Sequence, residues 1–143
     1  MIFGRKKTKE FAKLKQRLQL RLEGWQSKLL SKAGKATLIR SVAQSIPVYT
    51  MSTFRLPVEV CKAFDTLVRN FWWGVKSDGS KTLMLKAWKD LCTPKEVGGL
   101  GFRLFQDLNL AFLAKLGWAI ARGDDSYWAN LMRAKYFKTQ SFF

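Results

Sequence analysis

Two short stretches of this chain carry residue types that do chemistry elsewhere. The first is "GDDS" at 123–126, whose paired aspartates are of the kind that hold the divalent metals of nucleotidyl transfer. That chemistry needs rigid backbone between apolar strands and a further carboxylate on a neighbouring strand. Here Asp124 and Asp125 fall between two helical patterns, beside Gly123 and Ser126. Acidic groups and a serine are what a helix N-terminus accepts, so a cap is expected and no catalysis is assigned. The second is "PKEVGGLGFR" at 94–103, where three glycines and a lysine suggest a phosphate cradle. Its spacing fits neither the P-loop nor the dinucleotide fingerprint, and no strand–loop–helix unit surrounds it. A structural loop whose glycines take positive φ is expected instead. No nucleophile–base pair can be nominated from spacing. The chain has no histidine and only two cysteines, Cys61 and Cys92. That is too little for a zinc site or a disulfide framework. No catalytic residue, metal or cofactor is therefore expected.

What remains is electrostatic chemistry. The 143 residues carry 26 Lys and Arg against 10 Asp and Glu, a net charge of +16. The surplus is concentrated at the front, where residues 1–40 hold twelve basic side chains and only Glu10 and Glu23 as acids. Such an excess repels itself in a compact state, and a polyanionic partner accounts for it. From Lys6 to Glu23 the sequence reads as an amphipathic helix, with Phe11, Leu14, Leu18 and Leu22 on one stripe. At about 100° per residue, Lys6, Lys9, Lys13 and Arg17 gather on the opposite side, with Arg21 on its shoulder and Leu20 as an apolar exception among them. Lys28, Lys32, Lys35 and Arg40 extend the basic surface. The ordinary fate of a charge run is a solvated face. Because acids do not balance this one, nucleic-acid binding through phosphates is favoured. A membrane surface is disfavoured, since the apolar stripe is needed for packing.

The rest of the chain must position that face. Hydrophobic residues make up 48% and aromatics 14%, enough for one packed domain rather than a disordered chain. Gly24 is expected to stop the first helix. A second helix should span Ser31 to Ser45, with Ala33, Ala36, Ile39, Val42, Ala43 and Ile46 inward and Pro47 ending it. "VYTMSTFRL" at 48–56 is helix or strand; its period does not decide. Pro57 opens a helix that places Val60, Phe64, Leu67, Val68, Phe71 and Trp72 near one side and closes at Gly74. Phe71 and Trp72 of "FWW" thus belong to the core. Trp73 lies at its edge, and base stacking is the alternative use for that one ring. "KSDGS" at 76–80 is a turn, and "KTLMLKAW" at 81–88 is a weak strand or a short helix. Leu104 to Arg122 is apolar on most sides, with Leu108, Ala111, Phe112, Ala119 and Ile120 lining one of them, and should be the central, most buried helix. A last helix runs to about Tyr136. The fold class is mainly α: a single small domain of about four to six helices, with an irregular or two-stranded segment near 75–100. Residues 1–24 form its basic helix and 25–143 its aromatic-rich core.

Several motifs together resemble one family. "RLEGWQSKLLSKAGKATLIRSVAQSIPVYTMSTFRLP" (21–57), "FWWG" (71–74), "WKDLCTPKEVGGLGFRLFQDLNLAFLAKLGW" (88–118) and "RAKYF" (133–137) look like the reverse transcriptases of plant non-LTR, LINE-type retroelements. The resemblance runs from about Gly4 to Phe143. It matches the thumb and connecting segment that follow the polymerase palm in that family. It implies that the palm's catalytic aspartates would lie upstream of this chain and a Cys/His zinc motif downstream. The chain by itself is then expected to lack polymerase activity. A thumb holds template–primer duplex by its backbone, a role to which Lys6, Lys9, Lys13, Arg17 and Arg21 are suited, with Lys28, Lys32 and Lys35 as an outer set. The implied partner is an RNA–DNA or DNA duplex bound without regard to sequence; the alternatives are a structural relic of the polymerase that binds nothing specifically, and a subunit that assists a separate palm-containing polymerase chain in trans. "MIFGRKKTKE" has charge without a following apolar region and does not read as a secretory signal. With so few cysteines an intracellular, reducing home is expected, the nucleus ahead of an organelle such as the mitochondrion.

Overall fold

The computed structural model describes residues 5–76, 78 and 82–136, with residues 5–7, 128 and 136 described by backbone alone. Seven α-helices follow one another among them: α1 (Arg5–Gln26), α2 (Lys32–Leu38), α3 (Val48–Thr53), α4 (Val58–Trp73), α5 (Trp88–Leu91), α6 (Phe105–Ala121) and α7 (Tyr127–Tyr136). No strand occurs among the described residues. The first ambiguous stretch resolves as helix, 48–53 being α3; in the second, residues 82–87 are irregular and only Trp88 enters the single turn of α5. The turn expected at 76–80 lies largely outside the described residues.

The first helix buries Phe11, Leu14, Leu18 and Leu22 against α4, the face its 3.6-residue period dictates. It does not stop at Gly24. Two more residues continue it because tertiary contacts hold them: Trp25 packs against Phe71 at 6.0 Å between ring centroids, and Gln26 Nε2 donates to Val75 O at 2.7 Å. A glycine weakens a helix locally, and packing beyond it overrides the preference.

Ser31 caps α2, its hydroxyl accepting from Gly34 N at 3.1 Å. The helix then widens into a π-helical turn, Ile39–Ala43, before reaching Pro47. Ala36, Ile39 and Ala43 are buried, Val42 and Ile46 are half-buried, and Ala33, expected inward, is exposed. Pro47 is fully buried and begins α3, its carbonyl accepting from Met51 N at 2.8 Å.

The most buried helix is α4, which sinks Cys61, Phe64, Val68, Phe71 and Trp72 and ends on Gly74 at φ 72°. Sequence periodicity assigned that central place to α6, and the structure corrects it. Only Phe105 and Asn109 of α6 are buried, while Ala111 and Ala114 are exposed and Trp118 is 66% exposed. The reason is coverage. α6 packs on α3, α4 and α7, and its buried residues fall within its first two turns, so an all-round apolar helix is left with apolar surface.

Phe102 knits the aromatic core together. Its ring meets Trp72 edge-on at 5.3 Å and stacks on Trp88 at 5.4 Å, joining α4, α5 and the glycine-rich loop. The Arg40 guanidinium covers the same ring at 5.4 Å and donates to Leu100 O. The loop itself is structural: Gly98 and Gly101 take positive φ of 89° and 71°. Gly99 is needed for a different reason. A Cβ there would lie 2.0 Å from Thr93 O, where no atom fits. Gly99→Ala must therefore push the loop off Thr93 and strain the bonds from Gly99 N to Pro94 O and Gly101 N to Thr93 O. It is expected to lower unfolding free energy by about 2 kcal/mol in urea melts, as an overpacked buried site does. A melt unchanged from the wild type would disprove that close approach.

Candidate nucleic-acid interface

The basic face is built on α1. Because Phe11, Leu14, Leu18 and Leu22 are held against α4, the helix cannot rotate, and the residues opposite them are fixed toward solvent. Lys9, Lys13, Arg17 and Arg21 are all exposed. Spaced four apart, they recur about every 6 Å along the axis, each rotated about 40° from the last. Among the described residues, no hydrogen bond or ion pair engages any of these four, and the ion pair present there joins Arg122 to Asp124 instead. Lys6 stands on the same helix, but its side chain lies outside the described residues. Leu20, 61% exposed, sits among the cations, as its position on the wheel requires.

The outer set divides. Lys28, just past the helix, is exposed and lines a groove of about 430 Å³ with Arg17, Arg21, Leu20, Gly24 and Trp25. Lys32 and Lys35 are turned onto the aromatic rings at the end of α4, although Lys35 still shares a wider hollow with Lys28. Lys32 Nζ donates to Trp72 O at 2.9 Å and lies over the Trp72 and Trp73 rings at 4.5 and 5.0 Å. Burial, and then repulsion from Lys35, hold its pKa below the usual lysine value. Lys35 Nζ lies over the Phe71 ring at 5.6 Å. Both lysines fasten α2 to the end of α4. Sequence shows that a side chain is charged but not that an aromatic face already holds it. Trp73 is half-buried beneath Lys32, and its Nε1 is buried with no hydrogen-bond partner among the described residues. Lys76, which sequence reading did not select, joins Lys28 and Lys35 around a wider hollow of about 820 Å³ that also holds Glu23 and Asp78.

The remaining chemical residues have structural work. Ser126 Oγ accepts from Ala129 N at 3.3 Å and caps α7, and Asp124 Oδ2 meets Arg122 Nη2 at 3.2 Å. Among the described residues, no three His, Cys, Asp or Glu side chains come together as metal ligands would. Burial, reinforced by the nearby Asp65 carboxylate, pushes the Cys61 thiol up to about 11 and the Cys92 thiol up to about 12. Neither is a nucleophile at neutral pH.

Asp65, in the middle of α4, accepts from Phe105 N at 3.2 Å and so caps α6 from a neighbouring helix. Burial raises its pKa to about 6, against about 3.9 in an unfolded chain. Between these values the folded carboxyl keeps its proton and the unfolded one has lost it. Stability from this group therefore falls as pH rises from about 4 and levels off above about 6. Asp65→Asn retains the acceptor for Phe105 N. It is expected to gain about 1–2 kcal/mol over the wild type between acid and neutral pH, allowing for solvent screening of the partly exposed carboxyl. Urea melts across that range test this, and parallel pH profiles for the two proteins would refute it.

Comparison with known proteins joins this geometry to relatives. Over 126 residues, 88% of the chain, it is 37% identical to an Arabidopsis thaliana protein described as a "Putative ribonuclease H protein". Over 98 residues, 68% of the chain, it is 37% identical to an uncharacterized mitochondrial protein of the same plant. Both are homologues of this chain. The matched part is 20% of the first relative's length and 63% of the second's, so the chain spans only part of each. No protein-family model matches it, and no solved structure matches it. Among the described residues, no helix is long and apolar enough to cross a membrane.

Proposed function

We propose that this chain is a non-catalytic, nucleic-acid-binding segment derived from a retroelement RNA-directed DNA polymerase. It holds an RNA–DNA or DNA duplex by backbone phosphates, without reading sequence. One observation carries the reading: Lys9, Lys13, Arg17 and Arg21 stand exposed, and among the described residues without acidic partners, on a helix whose other side is locked into the core. Cations that neither fold the protein nor balance one another remain available to a polyanion. The motifs at 21–57 and 88–118 supply the polymerase origin, and the plant homologues support a retroelement setting. The place of action is intracellular, in the nucleus. The second relative's mitochondrial description makes the mitochondrion the alternative.

Filter binding of a labelled duplex over a salt series, run beside primer extension on an RNA template, tests the proposal. No extension is expected. Affinity should fall linearly on a log–log plot, with a slope of about −0.9 for each phosphate engaged. Extension by the chain alone, or retention indifferent to salt, would refute it.

A second reading, a subunit acting in trans with a palm-containing polymerase chain, is favoured by the apolar surface of α6 and α7. There Leu110, Trp118, Tyr127 and Leu131 are 45%, 66%, 80% and 43% exposed. Co-purification of polymerase activity with the tagged chain distinguishes it from the first.

A further inference from the structure

Gly24 has no structural reason to be glycine. It lies in the last turn of α1, which runs on past it to Gln26, its φ is not positive, and a Cβ built on it would meet nothing within 4 Å. Alanine would suit the helix better, since glycine weakens a helix interior. What surrounds Gly24 is the groove of about 430 Å³, with Arg17, Arg21 and Lys28 around it and Leu20 and Trp25 as apolar walls. Trp25 turns part of its ring to Phe71 and is half-buried, so the remainder stays accessible. Leu20 is exposed although cations flank it. Phosphates alone would be met by cations alone. A bare backbone surface, an indole edge and an exposed leucine among three cations match a ligand that is flat and apolar at one end and anionic at the other.

We propose that this groove receives an unpaired nucleotide at the end of the bound duplex. Its base lies against Trp25 and Leu20 over the Gly24 backbone, and its phosphate lies between Arg17, Arg21 and Lys28. The inference rests on the duplex-binding reading and adds a substrate feature to it: the junction of paired and unpaired strand. Glycine at the floor lets the base approach the helix as a side chain there would not, and stacking on an aromatic ring accepts any base.

The test is fluorescence anisotropy with the full chain and three labelled probes: a blunt duplex, the same duplex with one unpaired terminal nucleotide, and the same with an abasic unit in that place. The wild type should bind the unpaired-nucleotide probe about tenfold more tightly than the other two, the size of one stacked base. Gly24→Leu, which fills the floor and suits the helix, should erase that preference and leave blunt-duplex affinity unchanged, with an unaltered circular dichroism spectrum. Leu20→Ser, at an exposed position, should reduce the preference in the same way without touching the core. Equal binding of all three probes by the wild type would overturn the groove while leaving the phosphate-binding face standing. Binding of none would overturn both. A preference that survived in Gly24→Leu and Leu20→Ser would place the base elsewhere and overturn this assignment.

Discussion

Replacing Asn109 by alanine is expected to destabilise the fold by about 3–4 kcal/mol, a large fraction of the 5–15 kcal/mol that a domain of this size possesses. Asn109 is 2% exposed, in the second turn of the apolar helix α6. Its Oδ1 accepts from Leu56 N at 2.9 Å, and its Nδ2 donates to Met51 O and Phe54 O, both at 2.8 Å. One side chain thereby satisfies three backbone groups where α3 ends and the chain turns toward Pro57. Met51 O is among the carbonyls left open at the end of α3, Phe54 is extended at φ −132° and ψ 144°, and Leu56 is buried. Alanine would leave a buried donor, a buried acceptor and a half-buried one without this partner, beside a void where the amide had been. Asn109→Asp keeps the acceptor for Leu56 N but turns two donated bonds into repulsion against carbonyls, so it should be at least as damaging near neutral pH. Urea unfolding followed by circular dichroism reads both. A loss below about 1 kcal/mol for Asn109→Ala would show that the turn after α3 finds other partners.

Asn109 also shows where sequence reading stops. The stripes of α1 and α4 were legible because each buries one face against one neighbour, and a 3.6-residue period records that arrangement. Phe71 and Trp72 could be separated from Trp73 on the same ground. α6 could not be read that way. Apolar all round, it pointed to a central position, but the period of a helix cannot say how many neighbours the fold supplies. Within it Asn109 looks like a polar residue facing water, because its three partners lie more than fifty residues away in sequence. Gly24 was misjudged as a stop for the same reason: Trp25 and Gln26 are held by Phe71 and Val75, which local sequence does not reveal. In the candidate site, the line Lys9, Lys13, Arg17 followed from spacing alone. Lys32 and Lys35 did not separate from it until the rings of α4 were seen beneath them.

That line carries the other large effect. Reversing three charges in Lys9→Glu/Lys13→Glu/Arg17→Glu should lower duplex affinity at least about 100-fold at low salt and reduce the log–log salt slope by about 2.7, three phosphates at 0.9 each. The fold should be untouched, because the three side chains are exposed and none pairs with another described group. Surface substitutions of that kind usually change stability by less than about 0.5 kcal/mol. Relieving part of a +16 surplus should, if anything, ease self-repulsion. Net charge alone makes a competing prediction, and a control separates the two. Lys62→Glu/Lys89→Glu/Lys115→Glu changes total charge equally at three exposed positions on other helices than α1. If attraction were only to the overall positive field, both triple variants would weaken binding alike. If the α1 face makes the contacts, the control keeps nearly the full salt slope, because counterion release counts phosphates touched rather than charge carried. Equal losses from the two variants would remove α1 from the interface; a loss confined to the first would leave its locked orientation against α4 as the reason those cations meet the duplex.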